Sequence, residues 1–108
     1  KIIFQTDFNI MGRPDGICVD IYDNIWIALW KGWRIIKINS KGLLLNEIKM
    51  PVRKVTNICF AGENYNDMYI NTAGSENKKI NGELSGSLFT IKSSFFGKKE
   101  FLSNIKIN

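Results

Sequence analysis

A chain of 108 residues, 44% of them hydrophobic, has material for one domain and a modest core, burying roughly 60 to 70% of its unfolded surface. It has no histidine, which excludes Ser-His-Asp and Cys-His nucleophiles within the chain and leaves carboxylates as its neutral-pH bases, while two cysteines are too few for a structural zinc site. The net charge of +5 is spread over lysines that adjoin one another only at Lys78-Lys79 and Lys98-Lys99, so no basic stripe tracks a phosphate backbone, and no apolar run approaches the ~18 residues of a membrane span; neither nucleic acid nor membrane is an expected partner.

Short apolar runs alternate with turn signals, and no stretch holds a 3.6-residue period, so the chain reads as all-β. It opens on "KIIFQTDF", without an initiator Met or a signal-peptide pattern, as a segment beginning inside a longer protein would. The first expected strand is Ile2 to Phe4. Next comes "MGRPDGICVD", where Asp15 sits between Pro14 and Gly16. Pro-Asp-Gly is a common turn signature; the same aspartate also stands at the head of the next strand, Ile17 to Asp20, where a carboxylate is open to use as a cation ligand or a general base.

The strand Ile25 to Leu29, within "IWIALW", has no polar alternate and is expected to be covered on both faces. "WKGW" then leads to a more charged strand, Arg34 to Ile38, and to another at Leu44 to Lys49. Further strands are expected at Asn57 to Phe60, Asp67 to Asn71 and Ser87 to Ile91, with a weak one around Phe101. Cys18 and Cys59 lie inside apolar runs and read as buried, reduced thiols; the lack of a disulfide framework favours a cytoplasmic location.

Aligning "ICV" at Ile17 with "ICF" at Ile58 places Cys18 and Cys59 41 residues apart. That period matches four-stranded propeller blades. One blade would run from Ile17 to Lys49 and a second from Asn57 onward, with residues 1 to 4 as the outer strand of a blade before them. In such blades the heads of the innermost strands and the loops between second and third strands share one end. Asp15, "WKGW", Pro51 to Thr56 and the loop Thr72 to Gly86 therefore belong to one mouth of the ring. Trp33 is expected to pack between blades, Trp30 to line the mouth or the core. Thr56, the repeat partner of Asp15, either reaches the channel or merely starts a strand, and the long loop partly covers the mouth or is disordered.

At "GRPDGICVD", "IWIALWKGWRIIKIN", "MPVRKVTNICFAG" and "DMYINTAG" the chain resembles the C-terminal part of the SMP-30/gluconolactonase/regucalcin-like family, from about Gly12 to Phe89. The resemblance implies a six-bladed β-propeller in which residues 1 to 108 are a C-terminal segment of about two blades plus one strand. It also implies a divalent cation (calcium, zinc, manganese or magnesium) and hydrolysis of sugar lactones to aldonic acids. By the same resemblance Asp15 is a metal ligand and the proton-transfer residue. A glutamate and an asparagine that complete the ligand set have no match here, so the rest of the propeller would supply them and this chain alone would be inactive. Ala73-Gly74, where many relatives have alanine-arginine, leaves substrate preference open. The alternative is a noncatalytic propeller segment serving as a binding scaffold.

Overall fold

The computed structural model describes residues 1–99. Two antiparallel sheets carry the fold, with two single-turn helices beside them. The first sheet is built in chain order from β1 (Arg13–Val19), β2 (Ile25–Trp30), β3 (Arg34–Ile38) and β4 (Leu44–Lys49). The second sheet follows with β5 (Val55–Ala61), β6 (Asp67–Thr72) and β7 (Leu88–Lys92). Helix α1 (Phe8–Met11) precedes β1, and α2 (Lys78–Asn81) lies in the β6–β7 loop. The expected strand at Phe101 lies outside the described residues.

β2 is covered on both faces, as a run without polar alternates requires. Trp26 and Ala28 join Ile35, Ile58, Phe60, Met68 and Ile70 in the core between the sheets. Ile27 and Leu29 pack on the opposite face with Ile36 and Ile38, under Phe4 and Met11. The cover is the N-terminal segment. Residues 2 to 4 are not a strand, contrary to the reading of their apolar run; among the described residues no sheet edge pairs with them, and Phe4 packs instead on the first sheet. Ile3 passes so near the β3–β4 turn that a Cβ on Gly42, at φ +89°, would stand 1.8 Å from the Ile3 carbonyl oxygen.

The β1–β2 turn is organised by Asp20, which is 1% exposed. Its carboxylate accepts from the backbone N–H groups of Tyr22 (2.9 Å) and Asn24 (3.0 Å) and from the Trp26 indole N–H (3.0 Å). Three donors thus depend on one buried group. Asp20→Ala is expected to cost about 2–3 kcal/mol, because it strands a buried indole N–H as well as removing charge-assisted bonds; urea unfolding checks this. Trp26 is further fixed by edge-on contacts with Phe60 (5.8 Å between centroids) and Phe95 (5.0 Å). Phe95 belongs to a strap that joins the far ends of the two sheets: Ile21 N–H donates to the Phe96 carbonyl and Gly97 N–H to the Tyr65 carbonyl.

The outward faces of the two sheets are less protected. On β1, Ile17 is 59% exposed; on β7, Leu88 is 63% exposed, beside Tyr69 of β6. Cys18 is half-buried and Cys59 exposed, and no disulfide links them. The expectation of two buried thiols fails at Cys59 because strand alternation sends Ile58 and Phe60 into the core and Cys59 to the opposite face.

Candidate functional site at the heads of β1 and β5

The first strands of the two sheets, β1 and β5, lie beside each other, and their heads approach at Gly16. A Cβ there would stand 2.1 Å from Asn57 Oδ1 and 2.7 Å from the Thr56 carbonyl oxygen. Gly16 is absent from the positive-φ residues. Its role in "PDG" is therefore to admit a neighbouring strand, and Pro14-Asp15-Gly16 is strand rather than turn.

Within β1 the segment is a bulge. Pro14 pairs with Leu29 and Ile17 with Ile27, so Asp15 and Gly16 together oppose Ala28 alone. An extra residue of this kind bends a strand and re-aims its side chains. β5 repeats the device: Val55 pairs with Thr72 and Asn57 with Asn71, leaving Thr56 as the extra residue. The 41-residue offset between Cys18 and Cys59 thus relates Asp15 to Thr56 in structure as well as in sequence. Asp15 is exposed and Thr56 half-buried, and among the described residues the Asp15 carboxylate takes part in no ion pair.

The surrounding loops gather at the same end. Trp33 N–H donates to the Arg53 carbonyl, and Arg53 N–H to the Asn81 carbonyl, tying the β2–β3 loop, the approach to β5 and the β6–β7 loop together. The long loop is ordered: Asn77 caps α2, and the Ser85 hydroxyl donates to the Asn81 carbonyl. Trp33 lies outside the buried core between the sheets, with its ring against the β6–β7 loop of the second sheet. It has a positive φ of 55° and is 38% exposed, and its ring reaches within 3.4 Å of where a Cβ on Gly82 would be. Trp30 is half-buried at the end of β2, with the Lys54 ammonium 5.1 Å from its ring centroid. Arg13 and Lys31 stand over Phe8, at 4.3 and 5.7 Å. Lys54 and Phe8 meet partners from other parts of the chain, so the sequence alone does not pair them with these rings and cations.

As an exposed hard oxygen donor, Asp15 suits a divalent cation. Among the described residues no group of three His, Cys, Asp or Glu side chains comes together to hold one. Among the described residues Asp15 therefore stands as a single carboxylate and not as part of such a group. No helix among the described residues is long and apolar enough to cross a membrane.

A family model described as the SMP-30/Gluconolactonase/LRE-like region matches residues 2–74. The chain is 31% identical to pentonolactonase XacC of Haloferax volcanii over 103 residues, covering 89% of this chain and 35% of that protein. It is 41% identical to human regucalcin over 61 residues, covering 56% of this chain and 20% of that protein. A solved calcium-binding regucalcin from Agrobacterium tumefaciens superposes with a TM-score of 0.83 at 20% identity, covering 97% of this chain and 36% of that one. The chain therefore spans about a third of the length of the pentonolactonase and less of human regucalcin.

Proposed function

The chain belongs to the SMP-30/Gluconolactonase/LRE-like family, and on that footing we propose that it forms two adjacent blades of a six-bladed propeller that hydrolyses sugar lactones with a divalent cation. Residues 1–108 would be the C-terminal segment of that propeller, inactive without the rest. The observation that carries the reading is the bulge at Asp15 and Gly16, which holds an exposed carboxylate at the head of an innermost strand, pressed against the head of the next. The open faces around Ile17 and Leu88 support further sheets stacking on both sides, because exposed apolar faces call for partners.

In this reading Asp15 is one ligand of the cation and accepts the proton of the attacking water. A bound divalent cation supplies Lewis acidity toward the lactone carbonyl and a lowered water pKa. The chain's own contribution is positional. Pro14 limits the backbone on one side of Asp15, Gly16 brings β5 close on the other, and Thr56 offers a hydroxyl from the matching bulge. Trp30 gives a sugar ring an apolar face at the mouth.

The test is hydrolysis of sugar lactones by the complete propeller, before and after chelation. Activity that disappears with chelator and returns with added divalent metal supports the proposal. Lactone hydrolysis indifferent to both, or none under any metal, contradicts it.

A further inference from the structure

Three cations rest on aromatic rings at the end of the first sheet where Arg13, two residues before Asp15, pairs with Trp30. Lys54 approaches β5 and rests on Trp30; Arg13, in β1, and Lys31, in the β2–β3 loop, flank Phe8. Of the other cations nearby, Arg34 pairs with Glu47 and the Lys78 ammonium donates to the Ser85 carbonyl. Among the described residues Arg13, Lys31 and Lys54 take part in neither ion pair. Lys31 and Lys54 are half-buried, their stems covered while the ammonium heads are free to reach water.

We propose that these three cations form an anion-binding subsite at the mouth, which takes a carboxylate or phosphate substituent carried by the lactone. The inference rests on the lactonase reading and deepens it by naming the class of substrate, an acidic sugar lactone. The aromatic rings hold the cations by the ring quadrupole, an attraction of about 0.5–2 kcal/mol, and leave their N–H donors unspent. A lysine presents three such donors and an arginine a planar fork, the chemistry that grips a carboxylate or phosphate. Three cations at one mouth suit a single anionic group, whereas a nucleic acid needs a track of them.

The experiment compares kcat/KM of the complete, metal-loaded propeller for gluconolactone, its phosphorylated form and the lactone of the diacid glucarate. The expected result is a preference of about tenfold or more for a charged lactone, shrinking with added salt as exposed charges are screened. Lys54→Gln and Arg13→Gln should each reduce the charged-to-neutral ratio several-fold, and whichever charged lactone is preferred identifies phosphate or carboxylate as the source. Equal kcat/KM for neutral and charged lactones, or a ratio unmoved by both variants, overturns the subsite. Should no lactone be hydrolysed, calorimetry with gluconate, phosphogluconate and glucarate reads the subsite separately from the reaction. Tighter binding of phosphogluconate or glucarate, weakened by Lys54→Gln, supports it. Gluconate binding as tightly as both phosphogluconate and glucarate overturns it, as does a variant that weakens gluconate just as much, since the cations would then serve the carboxylate common to all three.

Discussion

Asp15→Ala is expected to lower lactone turnover by the complete propeller about 10³-fold or more, because on the proposed function it removes a metal oxygen ligand and a proton acceptor together; positioned acid–base catalysis alone is worth 10²- to 10⁴-fold. A loss of that size equals about 4 kcal/mol of transition-state stabilisation. Stability should not follow. Asp15 is exposed and, among the described residues, outside every ion pair, and substitutions at such positions usually stay within about 0.5 kcal/mol. Asp15→Asn, which keeps an oxygen ligand but not the base, should fall between the wild type and the alanine variant. The readouts are kcat at saturating metal, with urea unfolding as the control. An alanine variant that keeps wild-type turnover would remove Asp15 from the chemistry.

Gly16→Ala is expected to have the largest effect on folding, at about 3 kcal/mol, the upper part of the usual range for overpacking. The new methyl would meet Asn57 Oδ1 at 2.1 Å, Asn57 Cγ at 2.5 Å and the Thr56 carbonyl oxygen at 2.7 Å. Two of these atoms belong to one side chain. The third is backbone and cannot turn aside, so the heads of β1 and β5 must separate. A double variant with Asn57→Ala should therefore recover part of the stability and not all of it. Full recovery would mean that the strands do not approach closely at Thr56; no loss in the single variant would mean that they do not approach at Gly16. The same separation moves Asp15, so turnover should fall along with stability.

The parts of this architecture that rest on repeated local chemistry were legible in the sequence. The uninterrupted apolar run from Ile25 to Trp30 announced a strand buried on both faces, and the two cores that flank it match. The 41-residue offset between "ICV" and "ICF" announced two related sheets, and it aligns the bulges at Asp15 and Thr56. What failed depended on partners distant in the chain. Pro-Asp-Gly reads as a turn because turns and bulges draw on the same residues; only the position of Thr56 and Asn57 reveals that Gly16 is needed for close approach. The run Ile2 to Phe4 correctly signalled burial, as Phe4 lies against Ile27 and Leu29, but an apolar run carries no information about whether an edge is available to pair with. Alternation around Cys59 was visible; which face would be the core was not. The contact of Lys54 with Trp30 is not legible for the same reason, since the two meet across two loops.

The claim on which the functional reading depends is that the Asp15 carboxylate helps hold a cation whose other ligands come from elsewhere in the propeller. The most direct measurement is a calorimetric titration of divalent metal into the complete metal-free protein and into its Asp15→Ala form. A single tight site that weakens by about 100-fold or more when Asp15 is removed, a difference of about 2.8 kcal/mol, is the predicted result. Equal affinity in the two proteins would contradict it.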